Sequence, residues 1–244
     1  MHAQAKGTVL DQLAIRRRDR FFFSGFAVAA LFWVFAGFAP TYYLRGFTGA
    51  ADLPLVVHLH AALFSAWTAL FVVQTSLIAA GRTNLHRQLG VLGTALGVAM
   101  LVFGYATAIA GARRGWTGPN NPRDSVAAVG FLAVPFRDLL QFGGFFGAAI
   151  YSRRQPEKHK RLMVLAMFNG VLPAAGGRLP LPWAPPVWLC LLVAGPVYDR
   201  LVHGRVNKVY WWGIGINAVA IATSGFVFTR QPAVWRTVAG WLIR

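Results

Sequence analysis

Runs of about 20 apolar residues, each closed by basic residues, constrain this chain more than any other feature. The stretch from Val56 to Leu92 shows the pattern best. It opens on His58 and His60, crosses an apolar run, and turns through Gly81-Arg82-Thr83. A second apolar run then starts directly after His86-Arg87. A helix of about 20 apolar residues crosses a hydrocarbon core of roughly 30 Å. The stretch therefore reads as a membrane hairpin with histidines at its polar ends. Composition agrees: 56% of the chain is hydrophobic and 13% charged, where a soluble domain carries about one-quarter charged residues.

Lipid cannot satisfy open backbone groups, and the runs lack the alternation of barrel strands, so helices are required. Runs at about 21–39, 56–80, 89–110, 125–152, 161–179, 184–203 and 209–228 predict an all-α bundle of seven transmembrane helices. This gives a membrane domain over 21–228, a basic segment over 1–20 and a tail over 229–244. Most of the 24 Lys and Arg residues gather at alternate ends of the runs. By the positive-inside bias the N-terminus is cytoplasmic and the C-terminus periplasmic. Arg16-Arg17-Arg18 before the first run looks like an export signal, but the run exceeds a signal core and is expected to be retained as a span. The tail, with Trp235 and Trp241, predicts a short interfacial helix.

The net charge of +17 is not gathered into one patch, which argues against nucleic acid and leaves the lipid bilayer as the partner. Cys190 is the one cysteine, so an internal disulfide and a CxxC centre are both excluded, and packing is its expected role. There is no phosphate-cradling loop, zinc-protease motif or Ser-His-Asp pattern, and Glu157 is the one glutamate. Catalysis by paired carboxylates is disfavoured.

A weak repeat runs through the chain. Leu85–Leu92 echoes Lys158–Leu165, and Val206–Val209 is a fainter copy with Asn207 in place of His. One span plus three hairpins is the implied plan. Gly90, Gly93, Gly97 and Gly104 fall near one helix face, and Gly143 and Gly147 form a small-xxx-small step, both suited to close helix packing.

The candidate functional residues are mostly histidines. His58 and His60 point about 200° apart on a helix and cannot share an ion unless the helix unwinds there. His60 shares a stripe with Phe64, Trp67, Phe71 and Gln74. That stripe is expected to face the interior, because a polar group in hydrocarbon needs a partner. His60 is then a hydrogen-bonded interior residue, a haem or metal ligand, or a proton-handling group. His86, His159 and His203 are expected at one cytoplasmic level, where they either meet around an ion or haem iron or sit among lipid headgroups. Arg137-Asp138, with Gln141 one turn on, lies mid-span, where ionisable residues are costly. It is either an internal structural pair or a protonatable Asp138 in a polar path, with Arg178 or Asp199-Arg200 as neighbours.

Pro156–Met163 with downstream Arg178, and the earlier His86-Arg87-Gln88-Leu89-Gly90, resemble an uncharacterised bacterial family of multi-span membrane proteins. These carry HRxxG-like and HxRxM-like helix entries. The resemblance covers about residues 55–215 and implies a bacterial cytoplasmic (inner) membrane protein without assigning an activity. A more distant similarity is to two-haem b-type cytochromes and ferric-reductase-like membrane domains. It implies haem b, with His86 and His159 as the inner-face ligands and His60 as an outer one. The chain departs from that pattern outside, where His58 and His60 share one helix, so at most one bis-histidine haem fits.

Three functions follow as expectations. The first is a non-catalytic partner or assembly subunit packing against other membrane chains. The second is a redox-associated protein holding a b-type haem or metal at the inner-face histidines. The third is a small transporter or proton relay using Arg137 and Asp138.

Overall fold

The computed structural model describes residues 2–48, 52–116, 124–179 and 184–244, all helix and turn without a strand among them. Helix α1 (His2–Phe38) runs unbroken because no proline occurs before Pro40. At 1.5 Å per residue its 37 residues extend about 55 Å, well beyond a hydrocarbon core, so the basic tract at 16–20 continues helically into the first apolar run. A π-helical turn (Ala39–Tyr43) and short α2 (Arg45–Thr48) follow. The long hairpin of α3 (Leu55–Ala79) and α4 (Thr83–Arg113) comes next. Its turn needs Gly81 at φ 76°, a conformation that side chains resist.

Asp124 starts α5 (Ser125–Phe131) by accepting from the Val126 and Ala127 backbone N–H groups. Through Leu132 it leads into α6 (Ala133–Tyr151). The chain then returns in α7 (Pro156–Gly170) and α8 (Leu172–Gly176). After α9 (Ala184–His203), a turn with Gly204 at φ 73° leads to α10 (Lys208–Arg230), capped by the Asn207 side chain. The tail forms α11 (Ala233–Leu242), packed on α5 through a Trp235 indole N–H to the Val129 carbonyl at 2.8 Å.

Among the described residues, five helices are long and apolar enough to cross a membrane: those over Leu10–Tyr43, Leu55–Ala79, Thr83–Arg113, Ser125–Tyr151 and Lys208–Arg230. The two other expected spans differ from that description for local reasons. The run at 161–179 is no single helix: it ends at Gly170, breaks at Val171 and resumes as α8, because Pro173 cannot continue the ladder. The run at 184–203 is one helix, but Pro185, Pro186, Pro196, Asp199 and Arg200 dilute its apolar character.

Helices α1, α3, α4, α6 and α7 pack in sequence around a core that includes Phe26, Trp67, Phe71, Met100, Phe142 and Phe168. Gly37 lets α1 approach the Ala175 backbone of α8, where a side chain at residue 37 would collide. Across the same contact the Trp33 indole donates to the Leu172 carbonyl at the start of α8, at 2.9 Å. Helix α10 lies on α5, α6 and α7, while α9 lies on α1, α7 and α8. Many large apolar side chains, including Phe32, Val91, Leu140 and Trp212, point outward, as a lipid-facing surface requires.

Candidate functional site

The turn end shared by α4, α7 and α9, with α1 passing beside it, is rich in basic residues and holds two separate polar groups. The first is an ionic network. Arg161, buried on α7, donates through Nε to both carboxylate oxygens of Asp199 at 3.1 and 2.9 Å, and through Nη1 to Glu157 at 2.7 Å. Asp199 is fully buried on α9 and also accepts the Asn207 backbone N–H at 2.9 Å. Lys160 bridges Asp19 at 2.7 Å and Glu157 at 2.8 Å, and Asp19 takes further bonds from Tyr198 and His203. Asp19, Glu157 and His203 bring ligand atoms within 4.8 Å of one another. The Lys160 ammonium already bonds both carboxylates, and Arg161 pairs with Glu157 as well, so the cluster is a closed ionic clamp rather than an open cation site. Burial pushes the Glu157 carboxyl up, but Lys160 and Arg161 outweigh it and hold the group below its ordinary range.

The second group is the histidine pair. His86, from the first turn of α4, and His159, from the first turn of α7, bring their ring centroids to 6.3 Å with the planes 79° apart. His159 Nδ1 lies 2.8 Å from the Ala149 carbonyl, so it donates there and leaves Nε2 as the free nitrogen. His86 Nδ1 is buried without a partner among the described residues, as is Gln74 Oε1 on the adjoining α3. Helices α4 and α7 share few close backbone approaches, and α6 packs on both. His203 does not join this pair and turns instead to Asp19 at 3.0 Å.

At the opposite end α3 is regular helix from Leu55, so His58 and His60 diverge. His58 Nδ1 faces the Tyr42 hydroxyl at 3.3 Å, and His60 stacks on Phe64 at 4.0 Å with its buried Nδ1 unpaired. Trp67 is buried edge-on against Phe142 and Phe146, its indole N–H also unpaired. The interior stripe of α3 thus carries three buried polar atoms, on His60, Trp67 and Gln74, without protein partners among the described residues.

A third polar group lies at mid-depth. Arg137 donates to Asp138 Oδ1 from Nε at 2.9 Å and Nη2 at 2.6 Å, and from Nη1 to Ser224 on α10 at 3.2 Å. Neither expected neighbour is there. Arg178 bonds the Ala174 carbonyl and lies over Phe38, while Asp199 belongs to Arg161 and Arg200 bonds the Gly204 carbonyl. The pair lines a cavity of about 400 Å³ together with Gln141, Asn169, Trp188 and Asn217. Asn169, Asn217 and Trp188 were not singled out from the sequence. The two asparagines carry a usable signal, a carboxamide in the middle of an apolar run, whereas a Trp near a span end reads as an interfacial anchor.

No protein-family model, curated protein or solved structure matches this chain.

Proposed function

We propose that this is a redox-associated protein of the bacterial inner membrane in which His86 and His159 together hold one metal centre, a b-type haem or a transition-metal ion. One observation carries the reading: the 6.3 Å, near-perpendicular approach of two imidazoles from the first turns of α4 and α7. Two imidazoles at this spacing would be placed to direct one ring nitrogen each at a shared metal. The donor set suits the group, since neutral imidazole is a common ligand for both haem iron and transition-metal ions. The unpaired Nδ1 of His86 is a buried polar atom that a bound group could satisfy.

Bound there, such a centre supplies one-electron transfer. The chain's own part is positional. The Ala149 carbonyl fixes the tautomer and tilt of His159, as outer partners of metal-bound histidines do. Glu157–Lys160–Asp19 and Arg161–Asp199 tie α7 to α1 and α9 within one turn of His159, which keeps its backbone from drifting. At the far end His58 and His60 diverge on one helix, and this supports one centre rather than two.

The arrangement proposed in the membrane is seven crossings with a cytoplasmic N-terminus and periplasmic C-terminus, α7–α8 and α9 completing the count. The basic turns at Arg82, Arg153-Arg154 and Arg205 support that orientation. Single variants test the site: His86→Ala or His159→Ala should each remove the bound metal, while His203→Ala retains it. Full metal content in both of the first two would overturn the proposal.

A further inference from the structure

We propose that the mid-depth cavity is a binding site for a small neutral molecule bearing hydroxyl groups, of the polyol or sugar class. The site is independent of the histidine pair.

Four observations converge on it. The first is the backbone. Helices α9 and α10 are consecutive but not packed along their length. They meet where the Tyr210 ring lies against Gly195, and Trp188 of α9 and Asn217 of α10 line the cavity elsewhere. Helix α8, which resumes just after the break at Val171, contributes Pro173 and Gly176, and its C-terminal cap Gly177, to the same wall. Irregular backbone at membrane depth is tolerated where it is buried in protein or lines a polar cavity, and broken helices recur at the midplane sites of transporters.

The second is size. About 400 Å³ falls in the range of small-molecule sites and far exceeds the space of one water. The third is charge. Arg137 is neutralised by its neighbour Asp138, with a further donor on Ser224, so the pair offers no net charge to an ion. An anion would have to displace Asp138 from the guanidinium, and a cation would have to displace Arg137.

The fourth observation decides the class. Gln141 is 7% exposed, and its Nε2 is buried without a partner among the described residues. Trp188 Nε1 is also buried and unpaired. These are donors that need an acceptor. Asn169 and Asn217 spend their Nδ2 groups on the Leu165 and Gly213 carbonyls of their own helices, at 2.8 and 2.9 Å. What they offer the cavity is therefore an amide oxygen, which needs a donor. A ligand with acceptors alone would satisfy Gln141 and Trp188 but leave both asparagine oxygens unmatched. Hydroxyl groups donate and accept at once, and so match both sets.

The test is equilibrium binding to the full chain purified in a sugar-free detergent. Tritiated glycerol, a pentitol and a hexose serve as probes, with the hexose 6-phosphate and cyclohexanone as the charged and hydroxyl-free comparisons. At least one neutral hydroxyl probe should bind saturably and at least tenfold more tightly than either comparison. Trp188→Phe keeps a ring to pack on Phe168 and removes the N–H, and should weaken that probe about three- to tenfold. Gln141→Leu should weaken it at least as much. His86→Ala should bind it as the wild type does, so failure of the metal site leaves this result readable. Saturable binding by none of the three probes, preference for the phosphate or the ketone, or unchanged affinity in Trp188→Phe overturns the proposal.

Discussion

Arg161 and Asp199 form the most deeply buried ion pair among the described residues, with both charges nearly or fully withdrawn from solvent. Removing one partner strands the other, which typically costs about 3–5 kcal/mol. Asp199→Ala should therefore lower the thermal midpoint in detergent sharply, whereas Arg161→Met with Asp199→Leu together should lose much less. Equal loss in the single and double variants would contradict that view. Glu157, half outside the network, contributes less. Its carboxyl is held low in the folded chain, so its stabilisation is complete above the unfolded value of about 4.3 and drains as pH falls through the lowered one. Wild type should exceed Glu157→Gln near neutral pH by under about 1 kcal/mol, and the two should converge once the pH has fallen below the lowered value. A gap that persists in acid would show that the residue acts otherwise. Residues of this kind were only partly legible. Glu157, Lys160 and Arg161 share one helix entry, but Asp19 and His203 lie 184 residues apart, and no local pattern announces that they meet.

At the scale of elements, apolar run length located the helices well because lipid leaves the backbone no alternative. It failed where the run hides a break. Pro173 is the readable cause at 161–179, since a proline two-thirds of the way along an apolar run is by itself the mark of an interrupted helix. The first helix outran its apolar part for the opposite reason: nothing in 2–38 stops it. Close helix contacts also differ in ways that spacing alone does not rank. Gly195 receives the Tyr210 ring, while Gly215, on the same hairpin, has open space where a side chain would begin. Gly195→Ala should push α9 from α10 and lower stability measurably, and Gly215→Ala should be neutral or slightly stabilising through helix propensity. Similar melting of the two variants would count against the contact.

For the molecule as a whole, the number of crossings turns on α7–α8 and α9. With seven crossings, the segment after α8 faces the periplasm; with five, it stays on the cytoplasmic side. A Leu179→Cys chain in a Cys190→Ser background should react with a membrane-impermeant thiol reagent added outside intact cells, and labelling only after lysis would refute the seven-span arrangement. The fold class was legible from hydropathy, and the polar interior much less so. Hydropathy says that His60 and Gln74 must turn inward, but not which polar side chains meet, since that depends on how helices rotate against one another.

The central claim is that His86 and His159 share one metal centre, and the most direct measurement is a reduced-minus-oxidised absorption spectrum, with metal analysis, of protein purified from its own membranes. One metal per chain is expected, either as a b-type haem band or as a bound ion, and lost in His86→Ala and His159→Ala. A colourless protein with blank metal analysis would contradict the account.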